Sequence, residues 1–434
     1  MTRPADGFTS VPHALEHWAR TRGDDTAFTC LGAGNTVDRV LTYADLADET
    51  ARVSAFLQGK ARPGDRVLLL FPPGADYLAA FLGCLSAGVV AVPLYPPRPG
   101  AKLDRITAVV DDCAASLALT TAPLVPLLAD LPVPAVATDS LPPAAPAAAT
   151  IGELAFLQYT SGSTGTPKGV MVSHANLVAN LRAIETGFGV GPDDVVLSWL
   201  PMYHDMGLIG TNLLPLYAGI PAVLLPTFEF VRDPLCWPLA VAEFGATCSG
   251  GPDFAYRLLA ERYDPARLSG VDLSRWRIAF NGAEPVRAAT MAAVSERYGA
   301  HGFASSAWFP CYGLAEATLF VTGAAGVGTT DLDGREVVSS GPPAPGTTVV
   351  VVDADGRPVT GEVGEILVQS PGVARGYWDR PDTDAFGATV PGHAGEFLRT
   401  GDLGALVDGA LHVAGRVKDL IIVGGRNHHP HDLE

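Results

Sequence analysis

Between Leu157 and His174 the chain reads LQYTSGSTGTPKGVMVSH, a stretch whose residue types can hold an anion. An apolar run, Leu154 to Tyr159, enters a loop of Thr160, Ser161, Gly162, Ser163, Thr164, Gly165 and Thr166. Lys168, Gly169 and a second apolar run, Val170 to Val172, follow. The glycines let successive backbone N–H groups turn toward one point and the hydroxyls add donors, which is what a triphosphate asks of a protein. The loop is not a Walker A motif, because Pro167 stands where that motif has glycine before the lysine. A Ser/Thr/Gly-rich surface hairpin has the same composition, and such loops are common between strands.

Five further stretches place polar residues where apolar segments end. Ser198 to Gly210, SWLPMYHDMGLIG, reads as a strand end, a turn holding His204, and the start of an apolar helix. A histidine there serves equally well as a hydrogen-bonded structural residue. Ser249 to Tyr256 marks a change from strand to helix; Gly250 and Gly251 permit either close approach of a ligand or a simple turn. Ile278 to Pro285 is an apolar strand running into a tight turn, with Gly282 and Ala283 exposing flat backbone on which a purine can stack. Ligands collect at the carboxyl ends of strands in open parallel sheets. In Cys311 to Phe320, Glu316 reads as opening a helix, where the helix dipole alone favours a carboxylate. Leu398 to Asp402 ends a short strand at a turn; an aspartate there forms turns, and it can also accept two adjacent hydroxyls.

TSGSTGTPKGV resembles the signature of the adenylate-forming superfamily: acyl-CoA synthetases, adenylation domains of nonribosomal peptide synthetases, and luciferases. WLPMYHDMGLIG and NGAEPVR are most similar to the fatty acyl-AMP ligases within it, and the resemblance runs from about residue 10 to the end. It implies that ATP and Mg²⁺ are used to activate a carboxylic acid, with transfer to the thiol of an acyl carrier protein. By the same resemblance the nucleotide contacts are Thr160, Ser161, Gly162, Ser163, Thr164, Gly165, Gly282, Ala283, Glu284, Tyr312, Gly313, Asp402 and Arg416. Lys168, His204 and Glu316 are implied as catalytic, Glu316 also holding the magnesium. Met206, Gly207, Gly210 and Phe254 are implied to line the acyl pocket, and Lys418 to sit at a hinge. His204 is expected to position and polarise, not to act as a general base, because a carboxylate nucleophile has no proton to lose at neutral pH.

The resemblance further implies two stacked α/β subdomains with mostly parallel sheets over residues 1–320 and a small distorted β-barrel subdomain over 321–415. Residues 416–434 are then the hinge and the beginning of a further domain, whose lysine family members use in adenylation; without it the chain is expected to be a weak catalyst. Fatty acyl-AMP ligases carry an extra segment thought to hinder use of CoA. Only Val321 to Val337 is available for it, so an acyl- or aryl-CoA ligase is one alternative; a non-catalytic acyl-adenylate binder that lacks the further domain is another.

The elements that must position these residues are legible in the patterning. At 434 residues, 48% hydrophobic and 17% charged, the chain is a folded, multi-core protein. A net charge of −17 leaves no basic face for nucleic acid. Six cysteines without a CxxC pair suggest reduced thiols, and MTRPADGFTS has no apolar signal core, so a cytoplasmic protein is expected. Only four lysines stand against twenty-five arginines, and two of the four, Lys168 and Lys418, fall in these motifs. Thr42 to Leu57 reads as an amphipathic helix with a capping box. Asp65 to Phe71, Asp76 to Ala87 and Val89 to Leu94 read as strand, helix and strand, hence a parallel sheet; Leu103 to Ala114 and Leu117 to Thr121 repeat the pattern. Gly88 and Pro93 divide the uncharged run Tyr77 to Tyr95, so no membrane span is expected. From Thr121 to Thr150 a loosely structured surface connection is expected, and short strands follow at Thr347 to Val352, Gly364 to Val368 and Ala410 to Val413.

Overall fold

The computed structural model describes residues 7–145, 149–160, 167–332 and 334–418, together with the backbone of two short strands, Ile421–Val423 and Arg426–His428. Helix Tyr43–Gln58 starts at Thr42, whose hydroxyl accepts the Asp45 N–H while the Asp45 carboxylate accepts the Thr42 N–H. That reciprocal cap satisfies two donors that an open helix end would leave bare. Its buried face, Leu46, Val53 and Leu57, packs on helix Ala75–Ala87, where a Cβ at Gly83 would lie 2.6 Å from Val53. The second helix is buried almost all round, so its residues show little amphipathic period.

Six strands form the first sheet in the order Ala135–Ala137, Leu117–Thr120, Arg66–Leu69, Val90–Pro93, Leu154–Thr160, Lys168–Ser173. All neighbours are parallel except the last pair, which is an antiparallel hairpin. The expected loose connection after Thr121 is therefore partly regular. Ala122–Leu128 is a 3₁₀ helix and Ala135–Ala137 an edge strand, held by burial of Leu128 and Leu131 against the sheet.

The second sheet has eight strands, in the order Phe320–Gly323, Trp308–Gly313, Ile278–Asn281, Cys248–Gly251, Val196–Ser198, Ala222–Leu224, Thr26–Leu31, Val37–Thr42. Its outermost pairs are antiparallel and the rest parallel. One apolar core joins the two sheets, and the Tyr77 hydroxyl crosses between them to the Met202 carbonyl at 2.8 Å.

The late strands form an open antiparallel sheet, not the expected barrel: Pro358–Val359, Thr348–Val352, Gly364–Gln369, Leu398–Val407, Ala410–Arg416. Among the described residues its two edges do not pair with each other. A two-residue edge strand that begins with proline offers too few donors for closure. The segment after Phe320 continues into a hairpin, Thr329–Leu332 with Arg335–Val338. It leads to Ser340, whose N–H bonds the Leu411 carbonyl of the last strand. Among the described residues no helix is long and apolar enough to cross a membrane.

Candidate active site

Thr160 and Lys168 are cross-strand partners that close the hairpin, so the two apolar runs hold the ends of the glycine-rich loop at a fixed separation. Ser161, Gly162, Ser163, Thr164, Gly165 and Thr166 lie outside the described residues. Lys168 is half-buried with its ammonium 4.9 Å from the centre of the Tyr377 ring, a distance at which the ring face attracts a cation. Beside the loop, the Tyr159 hydroxyl donates to Asp112 at 2.5 Å, and Arg380 donates to Asp112 at 2.6 Å and to the Pro167 carbonyl at 3.3 Å.

Four parallel strands, Val196–Ser198, Cys248–Gly251, Ile278–Asn281 and Trp308–Gly313, direct their carboxyl ends to one edge of the eight-stranded sheet. The first leads to His204 and then to a π-helix, Met206–Leu213, all of whose residues are buried. The wider turn leaves the Gly207 carbonyl accepting the Thr211 hydroxyl at 2.8 Å and the Asn212 amide at 2.6 Å. Such bulges are frequent at functional sites. Gly207 sits so close to Pro201 that a Cβ would meet its carbonyl oxygen at 2.2 Å, and a Cβ on Gly210 would lie 3.3 Å from Leu319. His204 Nδ1 is 2.7 Å from the Asp205 carboxylate, which also accepts the Met206 N–H. The charge of Asp205, and its hydrogen bond, raise the pKa of His204 above the ordinary imidazole value. Gln158 ties the phosphate hairpin to this turn by donating to the Tyr203 carbonyl at 3.0 Å.

At the next strand ends, Phe254 is partly exposed, its ring edge toward Trp199 at 6.3 Å, and its N–H donates to Glu284. Ala283 adopts a φ of +69°, costly for a residue with a Cβ, and Gly282 faces Cys311 so closely that a Cβ would lie 2.8 Å from its carbonyl oxygen. Tyr312, one residue on, donates to Asp402 at 2.7 Å. Asp402 is not at a turn after a short strand, as its sequence suggested. It lies inside the ten-residue strand Leu398–Val407, directly opposite Arg416, whose Nε is 3.2 Å from its carboxylate. Gly401, at φ +71°, lets the strand continue past the bend. Gly313 abuts the backbone of Leu319, where a Cβ would clash at 1.8 Å. Lys418 follows in an exposed turn beyond the Val417 N–H bond to Gly401.

Glu316 does not open an α-helix. It occupies a 3₁₀ turn, Ala315–Ala317, between two antiparallel strands. The turn is strained: Thr318 has φ +69° and ψ −56°, and the Leu319 N–H reaches back to the Ala317 carbonyl at 2.9 Å, a γ-turn of the rare hand. Buried Asn180 braces it with bonds to the Ala317 and Phe320 carbonyls and to the Phe320 N–H. Glu316 Oε1 accepts the Tyr377 hydroxyl at 2.7 Å. Burial, then the Glu316 charge, push the Tyr377 pKa far up, so it remains a donor. Among the described residues no three His, Cys, Asp or Glu side chains cluster as a metal cage. A carboxylate with one oxygen that has no partner among the described residues suits Mg²⁺, which commonly takes one or two protein carboxylates and fills its remaining positions with phosphate and water.

Several residues that shape the site were not among those the motifs implied as functional. Gln158 and Asn281 are buried polar residues in apolar strands, and each has a side-chain oxygen without a partner among the described residues. Polar interruptions in such runs were the available sign. Asp253 is buried while bonding Asn281, the Arg287 N–H and Thr290, and so holds the turn that carries Gly282. Asn180 and Tyr377 act across the fold and gave no local sign.

A family model described as AMP-binding enzyme matches residues 15–378. A fatty acyl-adenylate ligase from Legionella pneumophila, solved with acyl adenylate and pyrophosphate, is 39% identical, covers 100% of this chain and 82% of its own, and superposes with a TM-score of 0.90. A medium-chain fatty acid–acyl carrier protein ligase of Moorena producens is 35% identical over 100% of this chain and 81% of its own length. A long-chain fatty acid–AMP ligase of Mycolicibacterium smegmatis is 37% identical over 99% of this chain and 77% of its own.

Proposed function

The chain belongs to the AMP-binding enzymes, and from that membership we propose that it is a fatty acyl-AMP ligase whose product is handed to the phosphopantetheine thiol of an acyl carrier protein. One observation carries the reading. The stretch Cys311–Phe320 is touched from four sides: by Gly210 of the apolar π-helix through Leu319, by the adenine-side Gly282 through Cys311, by Asp402 through Tyr312, and by Tyr377 through Glu316. Tyr377 in turn underlies the lysine of the phosphate hairpin. Aliphatic chain, purine, ribose and phosphates are the parts of an acyl adenylate, and one element gathers surfaces suited to each.

In the reaction a carboxylate oxygen bonds to the α-phosphorus of ATP while the bridge to the β-phosphate breaks and pyrophosphate leaves. No proton need be removed, so the protein's task is alignment and charge neutralisation. Glu316 would hold Mg²⁺, which would supply neutralisation of the phosphate oxygens. Lys168 adds a compact cation at the mouth of the phosphate loop. His204, cationic to a greater extent because of Asp205, faces the anionic carboxylate and α-phosphate. The buried π-helix excludes water and takes the chain. The functions of the Moorena and Mycolicibacterium relatives support the acid and the carrier thiol.

Thermal-shift titration with acyl-sulfamoyl adenosines of graded chain length tests the reading without turnover. Stabilisation should rise with concentration and peak at one aliphatic length. No shift with any acyl group would overturn the proposal. Product analysis with holo-carrier protein beside CoA then identifies the acceptor.

A pH profile tests His204. Its pKa is raised, so the imidazolium's contribution to holding the anionic ligand is fully present below the ordinary value of about 6.5 and is lost as pH rises through the raised value. Affinity for the acyl-sulfamoyl adenosine should therefore fall as pH rises through that raised value. In Asp205→Asn the fall should move to lower pH; an unmoved profile would remove the pair from the site.

A further inference from the structure

Residues 372–380 run between two parts of the site that belong to different sheets, and they bond to both. Toward the glutamate turn, the Ala374 N–H donates to the Glu316 carbonyl at 2.8 Å and the Thr318 hydroxyl to the Gly372 carbonyl at 2.6 Å. The Tyr377 hydroxyl donates to the Glu316 carboxylate at 2.7 Å. Toward the phosphate hairpin, the Met171 N–H bonds the Gly376 carbonyl at 2.9 Å, Arg375 N–H the Met171 carbonyl at 3.1 Å, and Trp378 N–H the Gly169 carbonyl at 2.7 Å. Arg380 reaches the Pro167 carbonyl at the loop's end. The segment thus forms an antiparallel bridge to Lys168–Ser173, Tyr377 opposite Val170, while bonding to the strained turn as well.

Tyr377 is the residue that does both with one side chain. It is 9% exposed, its ring packs edge-on to Phe386 at 5.4 Å and lies under the Lys168 ammonium, and its hydroxyl holds one oxygen of Glu316. A carboxylate on a turn without a helix has free rotamers, and ordering it at the moment of metal binding costs affinity. We propose that Tyr377 is a positioning residue that locks the Glu316 carboxylate in register with Lys168, so that magnesium and the phosphates of ATP are received as one unit. The proposal rests on the reading of Glu316 as the magnesium ligand.

Tyr377→Phe keeps the ring under Lys168 and removes only the bond to Glu316. The measurement is the Mg²⁺ concentration that half-saturates stabilisation by α,β-methylene ATP, read by thermal shift, with AMP in the absence of magnesium as reference. The expected result is a rise of about tenfold in the Mg²⁺ requirement, the usual scale for losing a partner of a metal ligand, with AMP binding unchanged. Glu316→Gln should remove most of the Mg²⁺ dependence, and adding Tyr377→Phe to it should change nothing further. An unchanged or lowered Mg²⁺ requirement in Tyr377→Phe, beside an effective Glu316→Gln, would overturn the positioning role alone. A Glu316→Gln protein with normal Mg²⁺ dependence would overturn the metal assignment and the proposal with it.

Discussion

Glu316→Ala will lower magnesium-dependent release of pyrophosphate by at least about a hundredfold, the scale on which one well-placed electrostatic contact to a transition state acts, and will leave the fold intact. The fold should survive because the carboxylate is half-buried and, among the described residues, its side chain hydrogen-bonds only the Tyr377 hydroxyl. Leaving that hydroxyl unpaired costs about 1–3 kcal/mol. The turn itself is braced through backbone and neighbours, by Asn180 to the Ala317 and Phe320 carbonyls and by Ala374 to the Glu316 carbonyl, none of which the substitution touches. Circular dichroism and the melting temperature report the fold; pyrophosphate release over a Mg²⁺ series reports the chemistry. Retained magnesium-dependent release would exclude Glu316 from the site.

Asp402→Ala is expected to weaken adenosine-containing ligands by about two orders of magnitude. A hydrogen bond to an ionised group contributes about 1.5–3 kcal/mol, and two ribose hydroxyls on one carboxylate would together exceed the 1.4 kcal/mol that makes a factor of ten. Geometry prepares the carboxylate for that use: it is nearly buried, held by Tyr312 at 2.7 Å and faced by Arg416 at 3.2 Å. Asp402→Asn keeps an acceptor for Tyr312 and should fall between wild type and Asp402→Ala. Calorimetric titration with AMP and with 2′,3′-dideoxy-AMP separates the readings. The variants should lose affinity for AMP far more than for the dideoxy nucleotide, which already lacks the hydroxyls. Equal losses for both would mean that Asp402 acts on the fold of the strand instead.

Much of the architecture could be read from local pattern. The Thr42–Asp45 cap, the buried runs at Arg66–Leu69 and Val90–Pro93 and the largely apolar helix between them formed where hydrophobic period and capping chemistry placed them. Where the reading failed, longer-range forces had intervened. Ala135–Ala137 has too few residues to announce a strand, and exists because Leu117–Thr120 offers it an edge. Glu316 looked like a helix opener, yet antiparallel pairing of Cys311 with Gly323 and Tyr312 with Thr322 pinches the chain into a strained turn. Asp402 looked like a turn residue, and a glycine at positive φ let the strand run through it.

The amino-acid sequence by itself determined the superfamily, the α/β class and the chemically able residues. The superfamily follows from the resemblance of its motifs, and the class and the chemically able residues from side-chain type at short spacing, which survives in any conformation of the chain. Only the tertiary structure decided how those residues are held. The Tyr377 hydroxyl finds Glu316 across 61 positions, Tyr312 finds Asp402 across 90, and Asn180 reaches Phe320 across 140. No local period encodes such contacts, because they arise when separately formed sheets and segments pack on one core and their buried polar groups must find one another or stay unsatisfied.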